Sequence, residues 1–460
     1  MEVIKLLIVI SLLQLCCGVQ SAPPKPSPGV LAWTKREIGA FFSFNMITEQ
    51  LVNGNENLCL HGDATKPLPS PSDFNPSLID LDNWLDVAVS YGAKYAVLTA
   101  QHCSGFSMWP TNVQQATGFE YQYSVKNSPL KNGSFDVVKE FVDSCKRHNV
   151  TPGIYYGLNE NFYLNVASGK VMNTTLSPGQ QNVTQDLYNK IILAQMRELW
   201  SNYGELSELW FDGGCIPGLE DAIGDLASEL QPNAVYFGGC SKTNNLRWVG
   251  TESGEPNYPI WSTATASGRA CQYGSGDKDG TVFCPAETDT TLQLFDTWFY
   301  LKGIGYRDLN TLKTIYLKSV GQNTNLLLNT AANSSGLIPE MAQNIYKQFG
   351  DWIQSCFGTP VTKTSGSGYN LTLNLPKPTM ITKISVGEDQ TDGEMVTSFT
   401  ITAQTSGKGK QPVVSDGQSI GNKFIADIQP PMMVSSITLT ILSAHDTPVI
   451  SDFSVHECKD

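Results

Sequence analysis

Short apolar runs and amphipathic stretches alternate along most of the chain. From about Val30 the runs are Ile38 to Phe44, Tyr95 to Thr99, Gly153 to Gly157, Leu209 to Asp212, Ala234 to Gly238, Arg247 to Glu252, Val282 to Glu287, and Asn325 to Asn329. Between several of them lie stretches with apolar residues at helical spacing. Ser77 to Gly92 carries Leu78, Leu81, Leu85 and Val89 and ends at a glycine. Ser134 to Asn149 opens on a capping Ser134 and buries Val137, Val138, Phe141 and Val142, and Thr184 to Tyr203 closes at Gly204. Strand candidates interleaved with helices in this way predict an α/β fold, a (β/α)8-like barrel over residues 22–358. Two intervals lack a helix, so the barrel is expected to be irregular. After Phe357-Gly358 the texture changes. Pro360 marks a boundary, and Leu371 to Leu375, Ile381 to Val386, Ser398 to Ala403 and Ser436 to Leu442 alternate between turn residues. That pattern predicts a C-terminal antiparallel β-sandwich over 359–460, an accessory domain without a catalytic cluster.

Residues 1–21 stand outside this pattern. Lys5 precedes a mostly apolar run from Leu6 to Leu15, too short to span a bilayer, and Val19 and Ser21 supply small residues before Ala22. A cleaved secretory signal is the expectation, and with it a secreted or lysosomal protein with no membrane anchor. Asn132, Asn173, Asn182, Asn333 and Asn370 each begin a glycosylation sequon. Once Cys16 and Cys17 leave with the signal an odd number of cysteines remains, so one thiol is left over. Cys271 and Cys284 bracket a glycine-rich loop and are the favoured disulfide. No Cys/His spacing suits zinc, so no metal is expected. The formal net charge of −13 argues against nucleic acid or an anionic membrane as partner and is compatible with a neutral sugar.

The chemistry centres on Glu208-Leu209-Trp210-Phe211-Asp212-Gly213-Gly214. A buried parallel strand that ends in a carboxylate and two glycines aims an acid at a ligand approaching the strand ends. The plainer alternative is that Asp212 caps a turn. The run from Ala93 to His102, then Gly105-Phe106-Ser107-Met108-Trp109-Pro110, resembles the secreted and lysosomal α-L-fucosidases. The resemblance continues through Glu208 to Gly214, Ser319 to Asn323, Leu326 to Asn329 and Gly336-Leu337-Ile338. It implies a catalytic barrel, a β-sandwich and retaining removal of terminal α-L-fucose from a fucosylated glycan, without a cofactor.

A retaining glycosidase uses one carboxylate as nucleophile and another as acid/base. The resemblance makes Asp212 the nucleophile. Glu252, in Arg247-Trp248-Val249-Gly250-Thr251-Glu252, is similar to the acid/base segment of the branch favouring α-1,3 and α-1,4 linkages. Glu287, in Cys284-Pro285-Ala286-Glu287-Thr288-Asp289, is the runner-up, with sugar or loop contacts as its other role. His102, Tyr156 and Trp210 are the retained pocket candidates. Alternation sends one of Tyr155 and Tyr156 into the barrel, and the resemblance selects Tyr156. Two positions depart from the family pattern. Phe42-Ser43-Phe44-Asn45 replaces Phe-His-Phe-Gly, and Gln101-His102-Cys103-Ser104 replaces Lys-His-His-Asp. Ser43 and Cys103 thus stand where imidazoles would meet sugar hydroxyls, and Cys103 is a candidate for the odd thiol. These losses favour a redirected substrate or a glycan-binding protein that has lost turnover, while the two carboxylates favour an enzyme. Adhesion through the sandwich is a third reading.

Overall fold

The computed structural model describes residues 22–48, 67–267, 270–271, 273–405 and 412–458. The segment expected to be a signal, 1–21, lies outside them. The eight barrel strands are β1 (Ile38–Phe42), β2 (Tyr95–Gln101), β3 (Thr151–Tyr156), β4 (Glu208–Trp210), β5 (Val235–Phe237), β6 (Arg247–Trp248), β7 (Ala286–Thr291) and β8 (Thr324–Asn329). Their hydrogen-bonded order is β5-β4-β3-β2-β1-β8-β7-β6, all parallel. Tyr236 on β5 pairs with Asn245 just before β6, which brings the two ends of the sheet together into a ring. Seven of the eight apolar runs seen in the sequence therefore supply a stave each, the eighth overlaps its stave only at Ala286 and Glu287, and the expected barrel is present.

Among the described residues the helices of seven residues or more are α1 (Pro28–Thr34), α2 (Leu81–Ser90), α3 (Val137–Arg147), α4 (Gln185–Asn202), α5 (Glu220–Leu230), α6 (Leu309–Lys318) and α7 (Glu340–Phe357). None of them separates β5 from β6 or β6 from β7, the two irregular intervals. Side-chain caps set five of the entries: Ser27 Oγ accepts from Val30 N, Asp80 Oδ1 from Asp82 N and Asn83 N, Asp136 Oδ1 from Lys139 N, Thr184 Oγ1 from Leu187 N, and Asp308 Oδ1 from Thr311 N. Asp136, not Ser134, thus starts α3; the Ser134 hydroxyl donates to Lys131 O instead. On α2 the buried face is Leu81, Trp84, Leu85 and Ala88, while Leu78 and Val89 are exposed. Trp84 is fully buried and donates Nε1 to Gly336 O at 2.8 Å, so truncating it to Ala should cost about 3–5 kcal/mol.

Two strand ends differ from the sequence reading, and both matter for the site. The Val282 to Glu287 run divides: Val282–Phe283 pairs with Thr263–Ala264 in a separate hairpin, and the barrel strand β7 continues to Thr291. Its last residues are polar yet fully buried, which hides the strand from a hydrophobic scan. Conversely β6 stops at Trp248, so Glu252 sits in the loop beyond it.

The C-terminal region holds β9 (Thr362–Ser367), β10 (Asn370–Glu388), β11 (Val396–Thr405), β12 (Val413–Gly417), β13 (Phe424–Ala444) and β14 (Val449–His456) in one antiparallel order, β9-β14-β10-β13-β11-β12. Register shifts between Asn374 and Thr379, and between Ile381 and Lys383, interrupt the long β10–β13 ladder; such irregularities bend a sheet. It encloses its own core, including Ile384, Phe399, Ile437 and Phe453. A polar seam joins the two regions. Asn323, with φ of 67°, donates to Ile260 O and accepts from Asn422 N, and Glu394 accepts from Ser262 N and Ser419 Oγ. The disulfide Cys356–Cys458 ties α7 to the end of β14.

Cys271–Cys284 is also formed, as expected, and Cys215 pairs with Cys240. Cys103 is disulfide-bonded and is not the odd thiol. Among the described residues the free cysteine is Cys145, buried on α3.

Candidate active site

The barrel interior is built in layers, because residues two apart on a strand face the same way. At the bottom, Trp33 of α1 closes the ring and donates Nε1 to Glu208 Oε2 at 3.0 Å. Glu208 lies beside Glu287, and Glu287 accepts from Tyr95 Oη at 2.7 Å and from Trp210 Nε1 at 3.1 Å. Both carboxyls are fully buried. Burial first, and for Glu287 also the neighbouring Glu208, pushes the pair up, Glu208 to about 7 and Glu287 well above the usual carboxylate range. Glu287 is therefore a neutral member of the barrel floor. It does not line the cavity above, which removes it as acid/base candidate and as a sugar contact.

The next layer is aromatic. Trp210 stacks on Phe237 at 4.1 Å between ring centres and on Tyr155 at 5.2 Å, with Phe41 against it at 5.4 Å. Two residues beyond Glu208 and Glu287, Trp210 and Asp289 face the same interior. Above Trp210 opens a cavity of about 190 Å³ lined by Phe41, Ser43, Thr99, His102, Tyr155, Trp210, Asp212, Glu252, Asp289, Trp298 and Phe299. This is below the roughly 300–1,000 Å³ of pockets for drug-sized ligands and suits one sugar ring.

Asp212, just past β4, accepts a hydrogen bond from Tyr155 Oη at 3.0 Å, and its backbone carbonyl is held by Asn159 Nδ2. Gly213 follows at φ 68°, where a Cβ would meet Asn159 Nδ2 at 2.9 Å, so glycine is required there. Glu252, half-buried, accepts from Trp298 Nε1 at 3.1 Å. The two carboxylates thus border one cavity from the loops after β4 and β6, the two strands that flank β5, and each is oriented by a ring donor. A third carboxyl, Asp289, accepts from Trp248 Nε1 at 2.7 Å and is pushed up to about 8, first by burial, with the neighbouring Glu252 adding to the effect.

His102 stacks on Tyr155 and meets Phe299 edge-on. Burial lowers its pKa to about 4 against the opposing pull of Asp212, so it is a neutral imidazole at neutral pH. Its Nδ1 lies 3.0 Å from Cys103 Sγ. Ser43 is buried and lines the cavity. Cys103 lines only a second, outer cleft.

The strand alternation at β3 resolves opposite to the sequence reading. Tyr155 faces the cavity, whereas Tyr156 points into the helix layer, donating to Gln195 Oε1 at 2.6 Å and packing near Trp109. The sequence reading also missed Asp289, Trp298 and Phe299. The first lies in a polar strand that no apolar pattern reveals. The other two belong to Trp298-Phe299-Tyr300, an aromatic cluster in the loop after β7 that could have been flagged as a sugar wall.

A parallel barrel whose mouth brings two carboxylates over an aromatic, sugar-sized cavity is the architecture of a glycoside hydrolase. The α-L-fucosidase family profile matches residues 65–356. Alpha-L-fucosidase 1 of Arabidopsis thaliana is 26% identical over 95% of this chain and 88% of its own length. The plasma α-L-fucosidase of Homo sapiens is 24% identical over 61% of this chain, which spans 55% of that protein. The crystal structure of a glycoside hydrolase 29 family member from a rumen bacterium superposes with a TM-score of 0.80 at 26% identity, covering 95% of this chain and 78% of that one. The chain belongs to the α-L-fucosidase family of glycoside hydrolases.

Proposed function

We propose that the protein is a secretory-pathway α-L-fucosidase that removes α-L-fucose from glycans with retention. Asp212 acts as nucleophile and Glu252 as acid/base. The observation that carries this reading is that both carboxylates line the same aromatic cavity, Asp212 under the Tyr155 hydroxyl and Glu252 under the Trp298 indole. In the first step Glu252 protonates the glycosidic oxygen as its bond to C1 breaks and an Asp212 oxygen bonds to C1. In the second, Glu252 takes a proton from water, which attacks C1 and releases Asp212. Trp210 and Phe41 supply apolar faces for the ring, and neutral His102 and protonated Asp289 supply hydroxyl partners. The segment carrying Glu252 favours α-1,3- and α-1,4-linked fucose. Exposed sequon asparagines Asn132, Asn173, Asn182 and Asn370, together with the disulfides, support an oxidising, glycosylating compartment.

The test is hydrolysis of an aryl α-L-fucoside, with the anomer of the first product read by NMR. Release of the α anomer, abolished in Asp212→Asn with the melting temperature kept, is the expected outcome. A glycan-binding protein without turnover is the second reading, favoured by Ser43 and Cys103 where imidazoles were expected. Fucose binding with no hydrolysis by the parent chain would decide for it.

A further inference from the structure

A carboxylate that attacks C1 has to stand within a fraction of an ångström of its reaction distance. The backbone behind Asp212 supplies little of that precision by itself. Gly213 and Gly214 follow at φ of 68° and 84°, and glycine enters this left-handed region without steric cost. The turn is braced by its neighbours instead. Phe211 N donates to Phe237 O at 3.0 Å, Gly214 N donates to Phe211 O at 3.3 Å, and Cys215, next along the chain, is bonded to Cys240. One side chain completes the set. Asn159 Nδ2 donates to Asp212 O and to Gly214 O, both at 3.0 Å, so a single amide group grips the backbone on either side of Gly213. Among the described residues no other side chain donates to the backbone of residues 212–214. An amide suits the task because its NH2 group carries two donors and no charge.

Asn159 lies three residues past β3, the strand whose Tyr155 phenol holds the Asp212 side chain. It is fixed from behind as well. Its backbone carbonyl accepts from Gly169 N at 2.8 Å, at the turn of a small hairpin in which Val166–Ala167 pairs with Lys170–Val171. Gln185, the first residue of α4, holds that hairpin from both sides: its Nε2 donates to Gly169 O at 3.1 Å and its Oε1 accepts from Val171 N at 2.9 Å. A chain of hydrogen bonds therefore runs from α4 through the hairpin and Asn159 to the turn behind Asp212. Neither Asn159 nor Gln185 lines the cavity over Trp210, so neither is placed to touch the fucosyl ring.

We propose that Asn159 is a positioning residue for the nucleophile, fixing the Asp212-Gly213-Gly214 turn so that the carboxylate meets C1, with Gln185 acting behind it. The proposal rests on the retaining-fucosidase reading and adds a determinant outside the sugar cavity. The test measures hydrolysis of 4-nitrophenyl α-L-fucoside by the parent, Asn159→Leu and Gln185→Ala, beside their thermal melts. Asn159→Leu keeps the size of the side chain and removes both donors. Its kcat should fall by roughly thirtyfold or more while KM stays within about threefold, because the lost precision is felt in the transition state. A folded Asn159→Leu with the parent's kcat, or with its loss confined to KM, overturns the proposal. Gln185→Ala should lower kcat by about threefold at an unchanged KM, as a change further from the chemistry. An unchanged kcat there overturns the relay through the hairpin, and it decides the proposal alone should Asn159→Leu fail to fold. An inactive parent refutes the hydrolase reading and the proposal together, whereas an active parent with insensitive variants refutes the proposal only.

Discussion

Replacing Asp289 by Asn should flatten the pH dependence of stability. Asp289 is 3% exposed, and burial, reinforced by the neighbouring Glu252, lifts its carboxyl from 3.8 to about 8. Between those values the unfolded chain has lost the proton and the folded chain has kept it. The unfolded state binds fewer protons, so stability falls as pH rises, by about 1.4 kcal/mol per pH unit for one such group. The stability is fully present below pH 3.8 and is lost as pH rises through about 8. From pH 5 to pH 7 the loss through this one carboxyl is about 2.7 kcal/mol, an upper figure if the cavity is hydrated. Asn cannot ionise, yet its carbonyl can still accept from Trp248 Nε1. Glu208, Glu388 and Glu394, raised to about 7, 8 and 7 by burial, work in the same direction in both proteins and cancel from the comparison. Denaturant midpoints at pH 5 and pH 7, for parent and Asp289→Asn, provide the assay. The parent should lose clearly more stability over that interval than the variant. Equal losses would mean that Asp289 is ionised in the folded protein, and the argument for a protonated third carboxyl would be refuted.

Tyr155→Phe removes the donor on Asp212 and should lower kcat by about tenfold or more, since a hydrogen bond to a charged group is worth about 1.5–3 kcal/mol. Tyr156→Phe should instead cost about 1 kcal/mol of stability through the lost bond to Gln195 and leave kcat nearly unchanged. Parallel kinetics and melts separate the two, and a reversed pattern would restore Tyr156 to the pocket. Trp298→Phe keeps the aromatic wall but frees Glu252, and its loss should appear in kcat more than in KM. Ser43→His should raise kcat/KM on simple α-L-fucosides by up to about tenfold if the imidazole gains one sugar hydroxyl, measured beside the melting temperature because the site is closed.

The barrel was legible because every stave but β7 carries a compact apolar run and several of the helices between them announce their caps. Periodicity failed where a side chain's direction was decided by a neighbour and not by polarity. Tyr155 and Tyr156 are chemically identical, and only the packing of Tyr155 between His102 and Trp210 selects the inward one. It failed again on β7, where Glu287, Thr288, Asp289, Thr290 and Thr291 are polar and buried together. A polar strand of this kind is stable only because each group finds a partner inside the barrel, such as Tyr95 and Trp210 for Glu287 and Trp248 for Asp289. None of those partners is close in sequence.

The same interior shows how one barrel can hold several carboxyl groups without excess charge. Four of them, Glu208, Glu287, Asp289 and Glu252, each accept from an indole N–H. An indole donates one hydrogen bond and brings a large apolar body, so it orients a carboxyl while keeping water out. Where the surroundings are fully closed, at Glu208, Glu287 and Asp289, desolvation raises the pKa and so favours the protonated form. Asp212, by contrast, is exposed to the mouth and is held by a phenol. Burial therefore sorts the carboxyls along the barrel axis, neutral below and available above. That gradient, more than the identity of any single residue, leaves Asp212, the proposed nucleophile, at the top of β4, open to the mouth.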